Sequence, residues 1–181
     1  MPEISILHGP RITLRPVRPE DVAARLRYGR DPEFHRMCGG DPDDCKPLTE
    51  EDVQRWFEHF SQEPFGWTIE YEGRLIGTAR LHSHNSQDRR ARYAIGIYDP
   101  SVWGRGLGTE TTRLVLGYAF DVLGLHRVDL RVLEYNHRAI ACYEKCGFRR
   151  EGIERESALI GGRWYNDVMM SILEHEYRSP G

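Results

Sequence analysis

Ala94-Ile95-Gly96-Ile97-Tyr98-Asp99-Pro100-Ser101-Val102-Trp103-Gly104-Arg105-Gly106-Leu107-Gly108-Thr109-Glu110-Thr111 decides how the chain is read. It begins as a β-rich apolar run, breaks at Asp99-Pro100 and passes through Gly104, Gly106 and Gly108 at every second position. It then enters a helical pattern carried by Leu114, Val115, Tyr118, Ala119 and Val122. Strand, glycine turn and helix start together make an anion site. Glycine admits positive φ and close approach of the main chain, and the unpaired N–H groups of the first helical turn point at the ligand with the helix dipole behind them.

The glycine spacing excludes two common phosphate binders. Thr109 stands where a dinucleotide fingerprint needs its third glycine, and no Gly-Lys-Ser/Thr follows, as a Walker loop requires. A plain structural turn is the competing reading. The rest of the chain decides between them.

A length of 181 residues fits one domain, residues 1–181, with enough chain to bury a core unaided. The 25 basic and 28 acidic side chains give a net charge of −3, so there is no basic field for nucleic acid. No apolar run approaches the length of a membrane span, and Met1 to Pro10 lacks the layout of a secretion signal. The expected location is the cytoplasm, with no membrane partner. Cys38, Cys45, Cys142 and Cys146 contain no C-x-x-C pair and read as reduced thiols. Metal readings exist for Cys142 with Cys146, His35 with Cys38, and His82 with His84, but their spacings match no usual site and no metal is expected.

Arg11 to Arg15 alternates as a first strand ended by Pro16. Pro19, Glu20 and Asp21 open a short helix that ends near Gly29. Arg30 to Pro47 has no periodicity and is expected to be irregular and functional. Thr49 and Asp52 cap a second helix, whose stripe Val53, Trp56, Phe57 and Phe60 is read as core rather than as a ligand box. Gly66 to Tyr71 and Arg74 to His82 form a hairpin; Ser83 to Arg90 reads as an exposed loop, and Ala91 to Tyr98 is the fourth strand. The helix after the glycine turn ends at Gly124, and His126 to Leu133 alternates as a fifth strand. Strand, helix, strand predicts a parallel crossover, with a ligand at the carboxyl ends of its strands. A helix from His137 to Lys145 follows, and strands near Gly152 to Ile160 and Tyr165 to Leu173 close the domain.

Asn136-His137-Arg138-Ala139-Ile140-Ala141-Cys142-Tyr143-Glu144-Lys145-Cys146-Gly147-Phe148 resembles the Asn-x-x-Ala-x-x-x-Tyr-x-x-x-Gly-Phe motif of the GNAT N-acetyltransferase superfamily. Trp103 to Thr109 resembles that superfamily's pyrophosphate loop, and the two lie in the family's order, about thirty residues apart. Ile12-Thr13-Leu14-Arg15-Pro16, Leu125-His126-Arg127-Val128 and the closing hairpin are most similar to the branch of ribosomal-protein alanine and spermidine N-acetyltransferases. The resemblance implies an α/β (α+β) fold: one GNAT-like domain with a mixed, mostly antiparallel sheet of about seven strands and helices on both faces.

The resemblance also implies acetyl-CoA as donor and a primary amine as acceptor, attacked without an acyl-enzyme. Ile97 and Tyr98 would give main-chain contacts to pantetheine, and Arg105, Gly106, Gly108 and Thr109 would hold the pyrophosphate. Asn136 would touch the cofactor near its reactive end, and Tyr143 would stand by the sulfur as the acid. A splay between the fourth and fifth strands would bring that helix to the thioester.

Two positions depart from the family pattern. Trp103 replaces a Gln or Arg, and Ala94 stands where many relatives carry a glutamate base. Deprotonation is then assigned to water, His82 or Glu70, with His82 preferred because an imidazole pKa of about 6.5 suits neutral pH. Glu33 and Asp44, in the irregular segment, are the candidate acceptor contacts. The partner is a small-molecule or peptide amine, and a homodimer is the assembly to test. The rival function is a GNAT-like domain that senses acyl-CoA without catalysis.

Overall fold

The computed structural model describes residues 5–178, so the outermost residues of the expected 1–181 domain, and the start of the Met1 to Pro10 stretch, lie outside the described residues. One sheet carries the chain in the order β1-β2-β3-β4-β5-β6-β8-β7. Its strands are β1 Leu7–His8, β2 Ile12–Arg15, β3 Gly66–Tyr71, β4 Arg74–Asn85, β5 Arg90–Ile97, β6 Arg127–Leu133, β7 Arg149–Ile160 and β8 Arg163–Leu173. All neighbours are antiparallel except β5 and β6, the crossover pair. The expected fourth and fifth strands are therefore β5 and β6. The eighth strand is β1, a two-residue ribbon pairing Leu7 with Leu14, too short to show alternation in sequence.

Helices α1 (Glu20–Tyr28), α2 (Pro32–Met37) and α3 (Glu50–Ser61) cover one face. Helices α4 (Leu107–Gly117), α5 (His137–Lys145) and α6 (Glu174–Arg178) cover the other. The alternation of β5 divides them: the Tyr93 hydroxyl meets Thr112 of α4 at 3.0 Å, whereas a Cβ on Gly96 would lie 3.1 Å from the Phe34 ring of α2. Trp67, Leu81, Leu107, Leu116, Phe120 and Leu130 are among the large side chains buried between α4 and the sheet.

Three expectations change. The segment Arg30 to Pro47 is not irregular throughout: Asp31 caps α2 by accepting from Phe34 N at 2.7 Å, and Asp41 caps a single 3-10 turn, Pro42–Asp44. Each is too short for an apolar period, although both begin with the Asp-Pro pair that opens helices. The loop expected over Ser83 to Arg90 is half strand, because β4 continues through a bulge to Asn85, residues 86–89 turn, and β5 begins at Arg90. The chain also ends its last strand in α6, whose Tyr177 ring stacks on Phe120 at 4.9 Å.

The second helix is capped as its sequence says, with Asp52 N donating to Thr49 Oγ1 and Thr49 N to Asp52, both at 3.1 Å. Its stripe divides, however. Val53 and Phe60 are buried, while half-buried Trp56 stands edge-on to Tyr98 at 6.5 Å.

Candidate active site

The site begins as a divergence of strands. β5 and β6 pair only where Arg90, Ala91 and Arg92 face Arg127, Val128 and Asp129. The Arg92–Asp129 ion pair, at 2.7 Å, closes that short ladder. Beyond it β5 stays with β4 as far as Ile97, and β6 stays with β8 as far as Leu133, so a gap opens between them. Backbone groups alternate along an antiparallel strand. Tyr98 N donates to Ile76 O of β4 at 2.8 Å, which turns the peptide groups of Ile95 and Ile97 toward the gap.

The glycine turn stands at the end of β5. Asp99 Oδ1 accepts from Ser101 N at 3.0 Å and from its hydroxyl at 2.6 Å, fixing a 3-10 turn at Pro100–Val102. Gly104 and Gly106 then take φ of 76° and 80°, a region costly to any residue with a Cβ. Gly106 is the N-cap of α4 and offers no side chain, so the amides of Leu107, Gly108 and Thr109 lack the usual capping acceptor. From outside, Arg11 donates to Arg105 O at 2.9 Å, and Glu110 holds Arg11 at 2.9 Å.

Across the gap, α5 begins at Asn136, whose Oδ1 accepts from Ala139 N at 3.2 Å. Its Nδ2 points at Met37 O, at 3.5 Å, while the neighbouring Tyr135 hydroxyl donates to Arg36 O at 2.7 Å. The end of α2 is thereby tied across the splay. One turn into α5, the Cys142 thiol lies 3.4 Å from Thr109 Oγ1 on α4. The Cys146 thiol donates to Thr109 O at 3.6 Å, and the two thiols side by side favour the thiolate on Cys142 and disfavour it on Cys146. Tyr143 is 7% exposed, edge-on to Tyr93 at 6.3 Å, and burial pushes its phenol well above the ordinary value.

These elements enclose a cavity of about 330 Å³. Of the expected site residues, Ile97, Gly106, Gly108, Thr109, Asn136 and Tyr143 line it together. Tyr98 lies one layer behind, its hydroxyl 2.8 Å from Thr78, and its N–H is already engaged with Ile76 O. The Arg105 side chain is exposed beside the turn and does not line the cavity.

His82, Glu70, Glu33 and Asp44 are not brought to the lining. His82 faces Arg92 across the β4–β5 ladder, at the closed end of the splay, and burial, then Arg80 and Arg92, lower its pKa. Glu70 is held by Arg15 at 2.7 Å. Glu33 lies 3.5 Å from Arg138, and Asp44 lies 3.3 Å from Lys46.

Sequence reasoning did not place Ile95 or Arg138 at the site, and it noted Phe34 and Met37 only as the large apolar residues of the functional segment Arg30 to Pro47; all four line the cavity. Arg138 stacks 3.9 Å above the Trp103 ring, so the position that lost a polar residue carries a guanidinium on its face. Only the period of two along β5 pointed to Ile95. Among the described residues of the lining there is no aspartate, glutamate or histidine. Among the described residues no group of three or more metal-ligating side chains is gathered, and no helix is long and apolar enough to cross a membrane.

A splayed parallel pair ending at a glycine turn and a bare helix N-terminus makes a cleft with free strand and helix amides for an extended, anionic ligand. Residues 11–149 match the family model described as an acetyltransferase (GNAT) domain. The chain belongs to the GNAT acetyltransferase family and is an N-acetyltransferase. It is 29% identical over 174 residues to the spermidine N(1)-acetyltransferase of Escherichia coli (strain K12), covering 94% of this chain and 92% of that protein. The crystal structure of the spermidine N-acetyltransferase from Vibrio cholerae in complex with CoA and spermine aligns with a TM-score of 0.79. The identity is 25%, over 94% of this chain and 100% of that one. A GNAT-family acetyltransferase from Bacillus anthracis shares the fold with a TM-score of 0.81 at 22% identity, over 95% of this chain and 100% of that one.

Proposed function

We propose that the enzyme moves the acetyl group of acetyl-CoA directly to the primary amine of a small molecule or peptide, in the cytoplasm. The observation that carries this reading is the unpaired edge of β5 running into the uncapped N-terminus of α4. It gives extended backbone for a pantetheine arm and amides for a pyrophosphate in one line. The residues fit that cofactor: the α4 amides are free of side-chain caps, the lining is without carboxylates, and Arg138 and Lys145 are its cations.

In this reading the amides of Leu107, Gly108 and Thr109 hold the pyrophosphate, and Arg138 adds charge from the face of Trp103. Ile95 and Ile97 hold the pantetheine. Ile97 does so through its N–H, because its carbonyl already accepts from Trp103 Nε1 at 3.0 Å. The donor supplies an activated acetyl thioester, whose carbonyl a β5 amide polarises. Tyr143 stays protonated at neutral pH and donates its hydroxyl to the departing sulfur. With no carboxylate or imidazole in the lining, the amine gives its proton to water.

Thiol release from acetyl-CoA across a panel of primary amines tests this. Release with at least one amine, and acetylation of that amine by mass, is expected. Binding of acetyl-CoA without release from any amine would favour a sensing role instead.

A further inference from the structure

The proposed reading leaves the amine open, and the side of the cleft opposite α4 says what accompanies it. Its wall there is Phe34, Met37 and Cys38, from α2 and the residue after it. Phe34 rests edge-on against Tyr98 at 5.4 Å. Over Tyr98, 4.1 Å from the ring centroid, stands the guanidinium of Arg25 from α1. Arg25 thus stands on Tyr98 behind the lining rather than in it, and its charge is felt by the Cys38 thiol of that lining.

Arg25 has few partners. Its only geometric hydrogen bond among the described residues is from Nη1 to Gly29 O, at 2.9 Å, out of five N–H groups. No carboxylate lies within ion-pair distance among the described residues. Arg30 is close enough to repel it, and burial is the main factor lowering its pKa. Arg30 is itself poorly matched. Its Nε is buried without a partner, and its Nη2 reaches Asp52 only at 3.7 Å, a carboxylate that Arg55 already holds at 2.6 Å.

Five of the acids nearby are engaged elsewhere. Asp31 caps α2, Asp21 and Glu70 hold Arg15, Asp99 holds Ser101, and Glu33 pairs with Arg138. A polycation placed against Arg25 and Arg30 would meet two guanidiniums, and among the described residues no carboxylate within ion-pair distance of Arg25. An anion would meet a planar fork with vacant donors, stacked and fixed in place by Tyr98.

Resting on the amine-acetylation reading, we infer that the acceptor is a primary amine that also carries an anionic group, a carboxylate first of all, and that Arg25, with Arg30 beside it, recognises that group. The chemical class is an amino acid or a close analogue, rather than a polyamine.

The test is steady-state thiol release with free amino acids, the corresponding carboxamides, aminoalkyl phosphates and spermidine. The carboxylate substrate is expected to exceed its carboxamide by at least about tenfold in kcat/KM, a ratio that reports one charged hydrogen-bonded contact. Aminoalkyl phosphates outrunning every amino acid would keep the role of Arg25 but replace the carboxylate. Arg25→Gln should raise KM for the carboxylate substrate and bring the ratio to within about twofold, leaving acetyl-CoA affinity and the carboxamide rate unchanged; Arg25→Lys should restore part of the preference. Arg30→Gln gives a second reading if Arg25→Gln melts early. A preference for spermidine over every anionic amine, or a ratio unaltered in both Gln variants, overturns the inference and leaves acetyl transfer standing. Thiol release from none of the amines would overturn the acetyl-transfer reading and this inference with it.

Discussion

The indole N–H of Trp103 donates to the carbonyl of Ile97 at 3.0 Å, tying the glycine turn to the strand it follows. The same ring carries Arg138 on its face. Trp103→Phe keeps an aromatic face and deletes the N–H. One neutral hydrogen bond contributes about 0.5–1.5 kcal/mol, so acetyl-CoA affinity should fall by roughly 2- to 10-fold. Calorimetry measures it; an unchanged Kd with a lowered Tm would confine Trp103 to packing.

Gly108 tests the close approach of backbone to phosphate better than Gly106 does. A Cβ on Gly106 is strained at φ 80° whatever binds there, so any loss has two explanations. A Cβ on Gly108 would lie 3.6 Å from Cys142 Sγ and 3.7 Å from Ile97 Cδ1, ordinary contacts, but inside the cleft. Gly108→Val should therefore weaken acetyl-CoA by at least about tenfold with the fold intact by circular dichroism. Equal affinity would place the cofactor elsewhere.

His82 gives a pH test. Burial, with Arg80 and Arg92 nearby, disfavours its imidazolium, so it is neutral down to below its ordinary pKa of about 6.5. Since it lies at the closed end of the splay, His82→Ala should leave both kcat/KM and the acid limb of the pH profile unchanged. The rate should rise with pH as the acceptor amine itself deprotonates. A lost inflection in the variant would return His82 to the mechanism as base.

The sequence showed the cofactor half of the site more clearly than the acceptor half, and for a physical reason. Backbone chemistry leaves marks in sequence: glycines at positive φ, a strand ending at Asp99-Pro100, and Asn136 as an N-cap. The acceptor wall is made by tertiary placement. Arg25 meets Tyr98 across 73 positions of chain, and Asn136 reaches Met37 across 99, and neither pair has a local signature. Glu33 looked available because charge alone does not show that Arg138 is its neighbour, whereas the Lys46 that pairs with Asp44 stands only two positions on in the sequence. The eighth strand and α2 escaped because two and six residues are too few to carry a period.

α1 owes its seat to a buried ion pair. Arg15 holds Asp21 through two bonds, of 2.8 and 2.9 Å, with Glu70 and Thr68 completing the set. The two side chains are 7% and 4% exposed. Asp21→Ala leaves a buried guanidinium with the more exposed Glu70 as its one charged partner among the described residues and should cost about 3–5 kcal/mol. Urea unfolding measures it. A loss under about 1 kcal/mol would mean that Glu70 alone compensates Arg15.

Tyr143 carries the last expectation. Its ring packs against Tyr93 and Phe148, at 6.3 and 5.8 Å, which fixes its direction, and among the described residues its hydroxyl has no hydrogen-bond partner. A buried phenol of that kind serves either as packing or as a donor held for a ligand. Burial raises its pKa, so full proton loss is harder than in water while hydrogen-bond donation to a charged sulfur is strengthened by the same low dielectric. Donation to the leaving thiolate matters most as the C–S bond breaks, so the benefit should appear in kcat rather than in acetyl-CoA affinity. Positioned acid catalysis is typically worth about 10²–10⁴ in rate. Tyr143→Phe removes one oxygen and keeps the ring. Acetyl-CoA Kd and Tm should hold, and kcat should drop at least about tenfold. A kcat within about twofold of the parent, with chemistry shown to limit turnover, would leave Tyr143 as a packing residue and assign sulfur protonation to water.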